Sequence, residues 1–183
     1  MRPAIATATA LAAVVLQLSA SPAFAQTVQK ETLEGVTNFA RVETTIACAG
    51  ATTPKAMAGL KQMGYASIIN LRLATEPGAD IEASTAAARG AGLRYIHLPF
   101  DAQAPDPMLV DNFLTAVTNT VNQPAFVHCA SGNRAAALWM IKRVVVDKWD
   151  VEKAREEATA LGMTSPAMKN FVQSYLDAHK PGR

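Results

Sequence analysis

The chain has 183 residues, is 50% hydrophobic, and carries 17 Lys+Arg against 15 Asp+Glu, for a formal net charge of +2. That near balance excludes the electrostatic footprint of a nucleic-acid or membrane-surface binder. Two cysteines exclude a disulfide scaffold, and no Walker or dinucleotide glycine pattern and no metal-ligand spacing is present.

Residues 1–25 read as a secretory signal. Arg2 is their only charge, a largely apolar run extends from Ala4 through Leu18, and Ala23 and Ala25 in "SASPAFAQ" give the small–x–small cleavage pattern. The run is shorter than the ~20 apolar residues that span a bilayer. Cleavage after Ala25 and export, to a bacterial periplasm, are therefore expected, with no membrane attachment afterwards. The remaining 158 of 183 residues suit one domain. Residues 26–40 are polar and weakly patterned and read as a lead-in, with the domain proper over 41–183.

Thr53-Pro54 predicts a helix start, with threonine as N-cap and proline at the first helical position, and Gly64 its end. "ASIINL" (66–71) predicts a buried strand, "RLATEPGAD" a loop, and Ile81 to Arg89 a helix closed by Gly90 or Gly92. "LRYIHLPF" (93–100) predicts a second strand. Asp106-Pro107 repeats the cap-plus-proline signature and opens a helix to about Val121. "PAFVHC" predicts a third strand, followed by a helix that is apolar all round from Ala135 to Ile141 and so belongs in the interior. Asp150 and Ser165-Pro166 start two more helices, with Gly162 between them. Trp139 and Trp149 read as core residues.

Strands alternating with helices imply parallel pairing and an α/β sandwich. Such sheets bind ligands at the carboxyl ends of their strands. Cys129, Arg72 and Asp101 all fall at strand ends. In "AFVHCASGNRAAALWM" (125–140) a thiol stands between a strand and a helix N-terminus, where cationic surroundings favour the thiolate. Gly132 lets backbone N–H groups turn inward as an anion nest, and Arg134 offers two parallel donors to an oxyanion. Nucleophile, nest and arginine together suit covalent catalysis on an anionic group.

"HCASGNR" resembles the signature loop of the cysteine-dependent protein tyrosine and dual-specificity phosphatases. The segment "FARVETTIACAGATTPKAMAGLKQMGYASIINLR" is similar to the opening segment of bacterial dual-specificity-like phosphatases, including the phosphatase-like domain of beta-lactamase-hydrolase-like proteins. The resemblance covers roughly residues 38–178 and implies a dual-specificity-phosphatase-like three-layer sandwich with a mainly parallel central sheet. It implies Cys129 as the nucleophile of a phosphocysteine intermediate and Arg134 as the phosphoryl ligand. The N–H groups of Ala130, Ser131, Gly132, Asn133 and Arg134 would complete the cradle, and Asp101 in "PFDAQAP" would be the general acid and base. His128 would brace the loop and help lower the thiol pKa, and Arg72 would contact the anion or brace a loop through Glu76. Cys48 in "ACAGATTP" would occupy a turn approaching the loop and could pair with Cys129 as a redox partner. The implied substrate is a phosphorylated protein or small molecule, with no cofactor and no metal.

Two features depart from the family pattern. Four residues separate Cys129 and Arg134 where five are usual, and Ala135 replaces a serine or threonine whose hydroxyl steadies the departing thiolate. The same loop resembles the six-residue loop of rhodanese-type sulfurtransferases, in which the cysteine carries a persulfide. That alternative lacks the upstream "GHI" segment and leaves Asp101 without a task. A third alternative is an inactive or redox-sensing anion-binding module.

Overall fold

The structure is a computed structural model and describes residues 28–179; the expected signal segment lies outside the described residues. Its elements in chain order begin with β1 (Gln29–Lys30), β2 (Ala40–Glu43), β3 (Ile46–Ala49), α1 (Ala56–Gln62), β4 (Ser67–Asn70), α2 (Ile81–Gly90) and β5 (Arg94–His97). They continue with α3 (Pro107–Thr118), a 3-10 turn (Thr120–Asn122), β6 (Ala125–His128), α4 (Asn133–Val145), α5 (Val151–Leu161) and α6 (Pro166–Ala178).

These form one sheet of six strands in the order β1-β2-β3-β6-β4-β5. β3, β6, β4 and β5 are parallel, while β1, β2 and β3 pair antiparallel. The period of two in the strands sorts their side chains into two cores. Ile46, Cys48, Ile69, Leu71, Ala125, Val127 and Cys129 join the core under α3 to α6. Ala47, Ala49, Ile68 and Phe126 join the core under α1 and α2. The result is the expected three-layer α/β sandwich. In the second core Phe126 meets Phe39 edge-on at 5.4 Å and Tyr65 at 5.6 Å between ring centroids. Truncating such a buried ring to alanine costs ~3–5 kcal/mol.

α4 is buried through most of its length, from Arg134 to Ile141 and again at Arg143, and it packs against α5 and α6. The cap signatures hold where expected. Asp106 accepts from the Met108 amide, Asp150 from those of Glu152 and Lys153, and Ser165 from that of Met168. Gly162, at φ +114°, closes α5 in the left-handed conformation that glycine adopts freely.

Three expectations need correction. The mainly parallel sheet carries in addition an antiparallel edge, and the expected 26–40 lead-in is integrated into it from Gln29. Gln29 and Lys30 pair with Arg41 and Ala40, and Phe39 is buried. Second, α1 starts at Ala56 rather than at Thr53-Pro54. The Thr53 and Pro54 carbonyls accept from the Ala56 and Met57 amides in a tight turn, and no side chain caps the helix. Third, α3 stops at Thr118 because Asn119 is extended and its side chain caps the following 3-10 turn.

Candidate active site

The parallel register places the carboxyl ends of β3, β6 and β4 side by side, with Ala49, His128 and Asn70 in line. Cys129 follows β6 directly. Its amide donates to the Ala49 carbonyl at 3.2 Å, and its side chain is completely buried. Three residues on, Gly132 takes φ +98° and caps α4, and its N–H donates to the Cys129 Sγ at 3.1 Å. The thiol therefore accepts from the N-cap amide at the start of a helix that is buried for most of its length. The first amides of that helix have no intrahelical acceptors and form the positive end of the helix dipole.

Arg134 enters from the first turn of α4 and is 8% exposed. Its Nη1 donates to Glu76 Oε1 at 2.6 Å, to the Phe100 carbonyl at 2.9 Å and to the Leu71 carbonyl at 3.1 Å. Its Nη2 donates to Glu76 Oε2 at 2.8 Å. A guanidinium has five N–H donors, so Nε–H and the second Nη2–H are not engaged by these acceptors. Burial works against the charge, and the Glu76 bonds together with Cys129 support it.

Glu76 is the pivot of the site. Beyond Arg134 it accepts from the Leu73 amide at 2.9 Å and from Arg72 Nε at 3.3 Å. Burial alone would raise its carboxyl pKa, but the bonds from Arg134, Leu73 and Arg72 hold it down at about 2. Arg72 also donates to the Pro77 carbonyl at 2.5 Å and the Gly78 carbonyl at 3.1 Å. Of its two expected tasks, this places Arg72 in bracing the 73–78 loop.

A cavity of about 370 Å³ opens beside the loop and is lined by Leu73, Glu76, Asp101, Ser131, Arg134 and Met168, among others. That volume falls within the ~300–1,000 Å³ of small-molecule sites. Asp101 is half-buried, and its Oδ1 accepts from the Gln103 amide at 2.8 Å in a local turn. The carboxylate thus forms a turn and lines the cavity at once. Asn133 also lines it, but its side chain is committed to bracing. Oδ1 accepts from the amides of Thr164 and Ser165 at 2.8 and 2.7 Å, and Nδ2 donates to Ser131 Oγ at 3.1 Å.

Two expected supports look different in the structure. His128 points to the opposite face of the sheet from Cys129, with its ring 6.1 Å from that of Phe126. Complete burial drives its imidazole pKa down to about 3, so at neutral pH it brings no positive charge to the thiol. Cys48 is not in the turn. It lies within β3, opposite Val127, on the Cys129 side of the sheet, and both cysteines are free. The turn after it does meet the loop, for the Ala51 amide donates to the Ala130 carbonyl at 2.9 Å. Burial pushes the Cys48 thiol pKa up. Among the described residues no group of three His, Cys, Asp or Glu side chains could hold a metal ion.

Asn38 is the site residue that sequence reasoning missed. Its Nδ2 donates to the carbonyls of Ser131 at 3.2 Å and Leu161 at 3.1 Å. Its only sequence signal is an asparagine ahead of "FARV", a pattern with no chemistry of its own.

Residues 38–146 match the sequence model of a family described as beta-lactamase hydrolase-like protein, phosphatase-like domain. A beta-lactamase hydrolase-like protein of Xylella fastidiosa is 39% identical over 103 residues, which are 54% of this chain and 22% of that relative. The match therefore spans about a fifth of the relative's length. Among solved structures, P. aeruginosa TpbA superposes with a TM-score of 0.66 at 20% identity, covering 87% of this chain and 94% of TpbA. A TpbA variant has been solved with phosphotyrosine bound. The core catalytic domain of the S. cerevisiae PP-IP phosphatase SIW14, in complex with citrate, superposes with a TM-score of 0.64 at 18% identity, covering 81% of this chain and 91% of that one. The sandwich is thus the fold of the cysteine-dependent phosphatases.

Proposed function

Since the chain belongs to the family of the phosphatase-like domain of beta-lactamase hydrolase-like proteins, we propose that it hydrolyses phosphate monoesters with Cys129 as nucleophile. One observation carries the reading: the Cys129 sulfur is buried at the N-terminus of α4, 3.1 Å from the Gly132 amide, with Arg134 in the first turn of that helix. The Cys129 thiolate attacks phosphorus, the S–P bond forms and the ester P–O bond breaks. Asp101, on the cavity wall, gives its proton to the departing oxygen. Water then attacks the phosphocysteine with Asp101 as base, and the thiolate and inorganic phosphate are released. The Arg134 donors not held by Glu76 and the Leu71 and Phe100 carbonyls, with the first amides of α4, take the equatorial oxygens, where the transition-state charge accumulates.

The same residues limit the substrate. Among the described residues, Arg134 is the one cation on the cavity wall, and Glu76 and Asp101 share that wall with it. This suits a single phosphoryl group on a protein or small molecule and disfavours a polyphosphorylated ligand. TpbA's complex with phosphotyrosine makes an aryl phosphate the first substrate to assay. The four-residue spacing from Cys129 to Arg134 favours a second reading, sulfur transfer through a Cys129 persulfide, because a sulfur atom needs a smaller cradle.

Mature wild-type protein and Cys129→Ser, assayed with an aryl phosphate and with thiosulfate plus cyanide, separate the two. Phosphate release lost in the variant supports the phosphatase; Cys129-dependent thiocyanate without phosphate release overturns it. Export rests on the pattern of residues 1–25. The expected intact mass of secreted protein is that of a chain starting at Gln26, and retention of Arg2 would contradict it.

A further inference from the structure

We infer that Asn38 is a positioning residue that sets the conformation of the Cys129–Arg134 loop from outside the cavity. As far as turnover is concerned, this rests on the phosphatase reading above. Asn38 adopts φ +46°, and its side chain reaches between two turns that are far away in sequence. Nδ2 donates to Ser131 O, 93 residues on, and to Leu161 O, 123 residues on. Oδ1 accepts from Lys30 Nζ at 3.0 Å. A lysine can only donate, so that contact fixes which end of the amide faces the two carbonyls.

The surrounding glycines fit this insertion. A Cβ on Gly132 would lie 2.5 Å from Asn38 Nδ2, and one on Gly162 would lie 2.6 Å from it. Both positions thus lack a side chain partly because this amide occupies the space. The consequence for the site is direct. The peptide unit whose carbonyl Asn38 holds, that of Ser131, also carries the Gly132 N–H that donates to Cys129 Sγ. Fixing one end of that rigid unit aims the other. Asn133 secures the next residue of the loop to the α5–α6 turn, so the loop is held from both sides without either side chain needing to touch substrate.

Aspartate is nearly isosteric with asparagine and tolerates positive φ, whereas glycine tolerates it without any side chain. Asn38→Asp therefore keeps backbone and packing but turns an acceptor on the two carbonyls. If Asn38 only relieves backbone strain or fills space, Asp is the milder change and Gly the harsher. If it positions the loop, the order reverses. The expected result for Asn38→Asp is a kcat about tenfold or more below wild type with KM within about twofold, since small misplacement of reacting groups costs rate. Asn38→Gly should lie between that variant and wild type. Hydrogen exchange at residues 130–134 should quicken in both, with β6 protection unchanged.

Wild-type kcat in Asn38→Asp, or a larger loss in Asn38→Gly, would overturn the inference. If the wild-type protein releases no phosphate, the phosphatase reading fails and the exchange comparison decides alone, unchanged loop exchange being the contrary result. If Asn38→Asp does not fold, Asn38→Gly decides: faster loop exchange supports the inference and wild-type exchange refutes it.

Discussion

The two ends of α4 each hold a buried arginine, and the two are treated differently. Arg143, 4% exposed near the C-terminus, donates from Nε to Glu157 at 2.9 and 3.1 Å and from Nη1 to Asp147 at 3.0 Å and Glu43 at 3.2 Å. It is also stacked over the rings of Trp139 and Trp149, at 4.5 and 4.1 Å from their centroids. Three carboxylates and the negative end of the helix dipole surround it. Arg134, at the positive end, binds one carboxylate among the described residues, Glu76, and shares it with Arg72. The first arginine is fully compensated by the protein and closes the fold. The second is held by one carboxylate that it shares and stands on the wall of a cavity, where an anion can reach it.

The sharpest way to break this contrast is to exchange the fates of the two arginines. Arg134→Lys should reduce kcat by about 10²-fold or more, because an ammonium cannot reproduce the fork that stabilises developing charge, with a comparatively small change in melting. Arg143→Met should do the opposite, costing ~3–5 kcal/mol in urea melts by leaving buried carboxylates unpaired, while the folded fraction keeps its specific activity. A variant of Arg143 that loses activity but not stability would erase the distinction.

Glu76 joins both properties. Its folded-state pKa of about 2 lies below the ordinary glutamate value of ~4.3. Its pairing therefore stabilises the fold above about pH 4 and is lost as pH falls toward 2. Wild type should exceed Glu76→Gln in stability at pH 6, and the gap should close over that interval; a constant gap would mean that ionisation of Glu76 is not the source. The same variant should slow turnover by roughly tenfold, since Arg134 loses its main anchor.

A smaller and more selective effect is expected at Asp101. Asp101→Asn should slow esters with poor leaving groups most and spare activated aryl phosphates. Equal slowing across leaving groups would remove it from the acid role. At the bottom of the scale, the exposed Lys55–Glu34 pair, 3.7 Å apart, should contribute nothing measurable. Glu34→Gln should melt with wild type, and a clear shift would show that surface charge matters more here than supposed.

The parallel half of the molecule was legible because its signals are local. Asp106-Pro107, Asp150 and Ser165-Pro166 carry their caps in adjacent residues, and "IINL" and "AFVH" are apolar runs bounded by turns. Cys129, Arg134, Arg72 and Asp101 could be grouped because strand ends converge in such a sheet. The antiparallel edge was not legible. β1 is two residues long, too short to show any period, and β2 alternates over only four residues, Ala40 to Glu43, with a bulge interrupting its pairing. The roles of Asn38 and Asn133 depend on carbonyls and amides supplied by remote turns, which no spacing in the sequence reveals. His128 brings no positive charge to the thiol for a simpler reason. Its neighbour Cys129 faces one core, so a residue one position earlier faces the other, where burial keeps it neutral.

The central claim is that the Cys129 sulfur takes the phosphoryl group. Ala135, fully buried after Arg134, supplies no hydroxyl to speed its departure, so the intermediate should accumulate. Acid-quenched reactions with an aryl phosphate, digested and read by mass spectrometry, should show one phosphoryl group on the peptide carrying Cys129 and none in Cys129→Ser. Phosphate release that continues in Cys129→Ser, or a persulfide on Cys129 in place of the phosphoryl group, would contradict the account.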